Sequence, residues 1–203
     1  MTRLQIPALA ILALLLSCTS AHALPVWGFD NGSEFEIAAT DNGGTSYASI
    51  DAALLAGTTA GSGAKSAALF SGTFTAVDET IKLYSLTFKG AAGSSMVFNS
   101  GVTGFGNRDE TTFAATIENM DVTTSGIGGY GVSYLNDNNG TSGSLTVLDS
   151  SFNSEDDAIR VFDDSGFSHF RDPDNSALIR DSFISSTSGS GVIVGANDQG
   201  LSQ

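Results

Sequence analysis

Thr116-Ile117-Glu118-Asn119-Met120-Asp121-Val122 decides the fold, because Thr146-Val147-Leu148-Asp149-Ser150-Ser151-Phe152 and Leu178-Ile179-Arg180-Asp181-Ser182-Phe183-Ile184 repeat its pattern. In each, an apolar residue (Ile117, Val147, Ile179) is followed two positions later by a small polar turn former (Asn119, Asp149, Asp181). Three positions on, a second apolar residue follows (Val122, Phe152, Ile184). The period is about 32 residues, the signature of a repeat architecture. Carried backwards, the alignment places Leu83, Ser85 and Phe88 in the same columns. After a spacer comes a second alternating pair: Met96 and Phe98, Val132 and Tyr134, Ile159 and Val161, Val192 and Val194. A small residue precedes each pair: Ser95, Gly131, Ala158 and Gly191.

Alternation sends these side chains to one face of a strand, and a single repeat cannot enclose them. Stacking the repeats buries them together, which predicts an all-β parallel β-helix of about four to five coils with Phe88, Phe98, Tyr134 and Phe152 in the core. A β-sandwich, the main rival, shows alternation without the fixed apolar, polar, apolar order at one period. Helical spacing occurs once, over Tyr47 to Ala56, where Ile50, Ala53 and Leu54 share a face. Ser46 is the expected N-cap there and Gly57 the expected stop.

Outward from this core, the first residues read as an export leader. Arg3 supplies the positive start, Ile6 to Leu16 the apolar run, and Ala21-His22-Ala23 the small residues of a cleavage site. The organisation expected is therefore a signal peptide over 1–23, a lead-in segment over 24–44 and the β-helix over 45–203. A second reading of the leader makes Leu15-Leu16-Ser17-Cys18 a lipoprotein box that anchors the protein through Cys18. The apolar run falls short of the roughly 20 residues of a membrane span, so a transmembrane segment is not expected. Localisation is secreted or cell-surface, periplasmic or extracellular. Without Cys18 the exported chain has no cysteine, which excludes disulfides and thiolate metal sites.

The whole chain carries a net charge of −14 from eight Lys and Arg against 22 Asp and Glu. Loss of Arg3 leaves seven basic residues and a charge of −15. Nucleic acid is excluded as a partner, since phosphate binding needs clustered Lys and Arg.

Tyr47-Ala48-Ser49-Ile50-Asp51-Ala52-Ala53-Leu54-Leu55-Ala56-Gly57 resembles the short helix that caps the first coil of the pectin-lyase-like right-handed β-helix proteins. Ser71-Gly72-Thr73-Phe74 and Leu86-Thr87-Phe88-Lys89-Gly90 resemble that family's first-coil turn and next strand. The likeness runs from about Thr45 to Ala196. It implies a right-handed parallel β-helix with an N-terminal capping helix and leaves function open, because the architecture hosts lyases, hydrolases, adhesins and spacers. The units are longer than the family's usual coil, with the excess in Asn99 to Thr112, Leu135 to Gly143 and Phe162 to Asn175; these loops are expected to build one face. The sequence stops at Gln203 just after the fourth unit's second strand, without a capping segment, so either a fragment or end-to-end self-association at the last coil is expected.

Three clusters could carry chemistry. Ser154-Glu155-Asp156-Asp157-Ala158-Ile159 resembles the paired aspartates of polygalacturonase-type glycoside hydrolases, which implies catalytic roles for Asp156, Asp157 and Arg160. Inverting hydrolysis needs two carboxyl groups about 6.5 to 9.5 Å apart. The family's histidine-bearing glycine element is replaced here by Gly189-Ser190-Gly191, and its Asn-Thr-Asp and Arg-Ile-Lys elements are missing. The competing reading makes Glu155, Asp156 and Asp157 a solvated turn. Asp149 and Asp181 form the second cluster, stacked in one column unless each bonds a backbone N–H of its own turn.

The third is the longest loop. Its carboxylates Asp163, Asp164, Asp172 and Asp174 are the oxygen ligands a calcium ion would use, although no calcium-loop motif is present. Tyr130, Phe167 and Phe170, with Phe162 beside them and His169 and Arg171 adding polar contacts, are candidate carbohydrate-binding residues. His169 is the one histidine of the exported chain, which excludes a two-histidine zinc site. The expected function is an exported β-helix binding extracellular polysaccharide or a cell-surface partner through its loop face. A polysaccharide hydrolase or lyase and a passenger fragment of an adhesin or autotransporter are the alternatives.

Overall fold

The computed structural model describes residues 25–59, 63–108, 113–136, 143–163 and 176–196. Strands β1 (Val26–Asp30), β2 (Phe35–Ala38) and β3 (Thr45–Tyr47) lead into the short helix α1 (Ile50–Leu54), which runs on as a π-turn over Leu55–Thr59. Three strands per coil follow: β4 (Ala67–Ser71), β5 (Thr73–Val77), β6 (Ile81–Lys82); β7 (Thr87–Gly90), β8 (Ser95–Phe98), β9 (Phe105–Arg108); β10 (Phe113–Glu118), β11 (Asp121–Thr123), β12 (Val132–Asn136). The last two triplets are β13 (Gly143–Leu148), β14 (Ser151–Ser154), β15 (Ile159–Asp163) and β16 (Ser176–Arg180), β17 (Phe183–Ser186), β18 (Val192–Ala196).

Like strands stack into three sheets, and every pairing between coils is parallel. The first sheet runs β16-β13-β10-β7-β4-β2 and ends in the antiparallel pair β1 and β3. The second runs β17-β14-β11-β8-β5 and the third β18-β15-β12-β9-β6. The chain is thus a β-solenoid whose five stacked triplets span about four turns from the first to the last. Residues 24–44, read as a lead-in, supply β1 and β2, and β2 pairs in parallel with β4.

The deciding repeat marks the corner between the first and second sheets. Ile117, Val147 and Ile179 occupy one register column of the first sheet, and Val122, Phe152 and Ile184 one column of the second. The polar residue between them turns the corner: Asn119, Asp149 and Asp181 have φ of 54°, 47° and 52°. This left-handed conformation is one that Asn and Asp tolerate better than other side chains. The Asn119 amide donates to the Gly90 carbonyl at 2.6 Å. A Cβ on Gly90 would lie 2.0 Å from the Asn119 carbonyl oxygen, so only glycine fits. Ile117, Val122, Val147 and Phe152 are all 0% exposed. At roughly 1.5 to 3 kcal/mol for each large apolar side chain, these columns hold the coils together.

The earliest unit lies in a different register from the one the sequence alignment gives. Ile117 pairs with Phe88, not Leu83, so Phe88 belongs to the first sheet. Met96 pairs with Val122 in the second sheet, and the third-sheet partner of Val132 is Phe105. Strand β9 therefore occupies the middle of the stretch expected as a loop over Asn99 to Thr112. Leu83 directly follows β6 of the preceding triplet, where its N–H donates to Gly106. The connection from Leu83 to Phe88 is so short that residues of two strands fall within one apolar pattern, and alternation alone cannot separate them. The column of small residues is consequently Gly104, Gly131, Ala158 and Gly191, not one beginning at Ser95. Their carbonyls accept the N–H of Ile81, Phe105, Val132 and Ile159 in turn.

The helix starts later than expected. Ser49, not Ser46, is its N-cap and accepts from the Ala52 N–H at 3.1 Å. Ser46 lies in β3. The Glu79 carboxylate, from the next turn of chain, accepts from the Ile50 and Asp51 N–H groups at 2.6 and 3.3 Å. Gly57 does not end it; the π-turn continues, with the Thr58 hydroxyl donating to Leu54 at 2.7 Å. Ile50, Ala53 and Leu54 are buried and cover this end of the core.

Candidate functional site

Arg160 lies in β15 of the third sheet, and the corners that lead into this sheet carry Asp156 and Asp157 before β15 and Tyr130 before β12. Inward Ile159 and Val161 are 0% exposed, so Arg160 between them points outward. Outward register neighbours along this sheet are Lys82, Gly106, Ser133, Arg160 and Ile193. Two small residues thus separate two basic ones, about 14 Å apart at three strand spacings. Each is paired with a carboxylate, Lys82 with Asp51 at 3.7 Å and Arg160 with Asp157 at 3.9 Å.

Arg160 is held from two sides. Its guanidinium carbon lies 4.3 Å from the centre of the Tyr130 ring, one coil earlier. Its Nη1 lies 3.9 Å from Asp157 Oδ2, with the two side chains 15% and 16% exposed. A cation over an aromatic face is attracted by about 0.5 to 2 kcal/mol, the more so as water is excluded. The structure therefore brings together three residues that the sequence placed in two different candidate groups.

The acidic run bonds backbone on both neighbouring coils. Glu155 Oε2 accepts from the Gly126 N–H at 2.6 Å and Asp156 Oδ2 from the Gly128 N–H at 3.1 Å, both on the coil before. Asp157 Oδ1 accepts from the Ser190 N–H at 2.7 Å on the coil after. Asp156 Oδ1 also accepts the Asp157 N–H at 3.0 Å. The corner is closed further by Ser186 and Ser188, whose hydroxyls donate to the carbonyls of Asp156 and Glu155. Gly189 is required there: a Cβ on it would lie 2.6 Å from both the N and Oδ1 of Asp157. Instead of an open solvated turn, the run is a set of inter-coil staples.

These bonds fix the loop Ser125 to Tyr130. Thr124 donates to the Gly129 carbonyl at 2.7 Å, and Gly104 donates to the Tyr130 carbonyl at 2.8 Å. At the tip sits Ile127, 95% exposed. The alignment of apolar columns missed it because it belongs to none; its signal is an apolar residue inside Gly126-Ile127-Gly128-Gly129.

At the other corner Asp149 and Asp181 are both exposed, and Asp181 Oδ2 meets Arg180 Nε at 3.4 Å. They border an open groove of about 460 Å³ with Asn119 and Asp121. Among the described residues, no group of three or more His, Cys, Asp or Glu side chains could hold a metal ion. Asp163 is the last residue of β15, and Phe162 pairs with Leu135 in the third sheet. Asp164, Phe167, His169, Phe170, Arg171, Asp172, Asp174 and Asn175 lie outside the described residues, as does the leader with Cys18. The connections over 109–112, 137–142 and 164–175 begin after β9, β12 and β15, neighbours in the third sheet, and return at β10, β13 and β16, neighbours in the first; only the last is long. No described helix is long and apolar enough to cross a membrane.

The chain matches no family model, no curated protein and no solved structure.

Proposed function

We propose that this is an exported solenoid of the pectin-lyase-like kind that binds an extracellular glycan, without turnover, on the outer face of its third sheet. The observation that carries this reading is the Tyr130 ring packed against Arg160 beside the small residues Ser133 and Gly106. A fixed aromatic and guanidinium pair offers an apolar edge and hydrogen-bond donors, the two things a pyranose requires. Strands β9, β12 and β15 end beside this face; Phe167, His169, Phe170 and Arg171 are candidate further contacts, and calcium is a candidate ion in the Asp163 to Asp174 segment. Export rests on Arg3, Ile6 to Leu16 and Ala21-His22-Ala23.

Binding is preferred to hydrolysis because Asp156 and Asp157 are engaged with backbone N–H groups, and a general acid must be free to give its proton to a leaving oxygen. The test uses the exported protein against a panel of neutral and acidic polysaccharides, measured by calorimetry and by release of reducing ends or unsaturated products. Binding to a neutral glycan without product, lost in Tyr130→Ala, is the expected result. Turnover of a pectic substrate that Asp157→Asn abolishes while the circular dichroism stays unchanged would establish the enzyme instead.

A further inference from the structure

The geometry points to the outer side of the β16–β18 coil as a pairing surface for a second copy of this chain, meeting tail to tail as a closed two-fold dimer. Val192 and Val194 continue the inward columns of Ile159 and Val161. Those partners are 0% exposed, but Val192 and Val194 are 44% and 45% exposed. Ile179 and Ile184 are likewise only partly buried, although their partners Val147 and Phe152 are 0% exposed. Each of β16, β17 and β18 is the last strand of its sheet. The described residues therefore leave three strand edges and the apolar columns between them uncovered on one side.

The two ends of the solenoid are built differently. At the β5 and β6 end, α1 covers the core, β1 and β3 close the first sheet in antiparallel fashion, β5 carries a register shift between Phe74 and Val77, and β6 has only two residues and bears Lys82. These are the devices that stop strand edges from pairing: a covering helix, a bulge, a short strand and a lysine. Among the described residues the β16–β18 end shows no such device. From Ser176 to Ala196 there is no proline, and the charged residues are Arg180 and Asp181, which pair with each other. This coil is therefore neutral within a chain of net charge −14. Two copies can approach there without the repulsion their other surfaces impose.

The form of the assembly follows from the same contrast. A head-to-tail contact repeats into a filament, but it needs the end that α1 and β5 seal. A contact of the open end with itself is isologous and closes after two copies. Strands across it run antiparallel, a pairing at least as stable as the parallel one within each copy.

Light scattering on the exported protein across a hundredfold concentration range tests this. The expected mass is twice that of one chain, falling to one chain in Val194→Lys, which puts a charge into the apolar surface that the second copy covers. Leu178→Lys, on the outer face, is expected to leave the doubled mass unchanged. Hydrogen exchange of wild-type β16–β18 amides, compared at high and low concentration, decides the matter if Val194→Lys does not fold; at least tenfold slower exchange at high concentration supports the dimer. A single-chain mass with concentration-independent exchange overturns it, and so does mass that grows without limit.

Discussion

Arg160 sits over the Tyr130 ring, 4.3 Å from guanidinium carbon to ring centre, although thirty residues of chain separate them. The contact exists because one turn of solenoid brings β15 beside β12 and because the carboxylates of Glu155 and Asp156 hold the Tyr130 loop by its glycine N–H groups. Lysine cannot replace this arginine, since its point charge lacks the planar fork that stacks on a ring and meets Asp157. Arg160→Lys is expected to weaken glycan binding about tenfold, equivalent to about 1.4 kcal/mol. Calorimetry alongside a urea midpoint checks this; equal loss from the folding and binding free energies would reduce Arg160 to a structural role.

Val147 tests the column of stacked residues. It is 0% exposed between Ile117 and Ile179, with a coil on either side. Val147→Asp buries a charge without a partner and is expected to cost several kcal/mol, enough to abolish cooperative unfolding in urea. Leu178→Asp, at a side chain 57% exposed on the outer face of the same sheet, is expected to lower the midpoint only slightly. Equal effects at the two positions would mean that the coils do not stack in the register described.

The repeat was legible where turn chemistry punctuates it. Asn119, Asp149 and Asp181 mark one corner in the sequence because a left-handed residue leaves a compositional trace. Where that trace is missing, alternation alone misplaces the register: the corner after β7 uses Gly90 and Ala91, which puts Leu83 in the column of Phe88 and hides β9 within an apparent loop. The acidic run drew notice in the sequence for its resemblance to a catalytic pair. Its bonds to Gly126, Gly128 and Ser190 depend on which turns sit above and below, and one strand's sequence does not record its neighbours. Tyr130 and Arg160 were both singled out, but their contact is a product of the coil length.

Asp157 separates charge from acceptor. Its Oδ1 accepts the Ser190 N–H at 2.7 Å while its Oδ2 faces Arg160 at 3.9 Å. Asp157→Asn keeps an acceptor and is expected to cost under about 1 kcal/mol, since the ion pair is long at 3.9 Å. Asp157→Ala leaves a backbone donor unsatisfied and is expected to cost about 1 to 3 kcal/mol. Urea titrations of the two variants decide it. An Asn variant as damaged as the Ala variant would make the charge, and not the hydrogen bond, the staple.

Alkaline pH tests the other end of the solenoid, where the half-buried Tyr84 hydroxyl donates to Asp51 Oδ1 at 3.2 Å in the first turn of α1. Burial, and then the neighbouring Asp51 charge and this hydrogen bond, push the phenol from 10.0 up to about 12. The folded state therefore holds the proton more tightly than the unfolded chain. Below pH 10 both states are protonated and the contribution is fully present. Between pH 10 and 12 the unfolded chain loses its proton first, so stability falls as pH rises, levelling off once the folded state has ionised as well. Tyr84→Phe removes the hydrogen bond, at a cost of about 1 kcal/mol near neutrality, and also removes this pH dependence. Lys89, whose ammonium is raised by its hydrogen bond to Glu34, adds a parallel alkaline loss that both proteins share. The gap in urea midpoint between wild type and Tyr84→Phe is therefore expected to be constant from pH 7 to 9 and to narrow from pH 10 to 12. A gap that stays constant to pH 12 would show that the phenol titrates as freely in the folded protein as in the unfolded one.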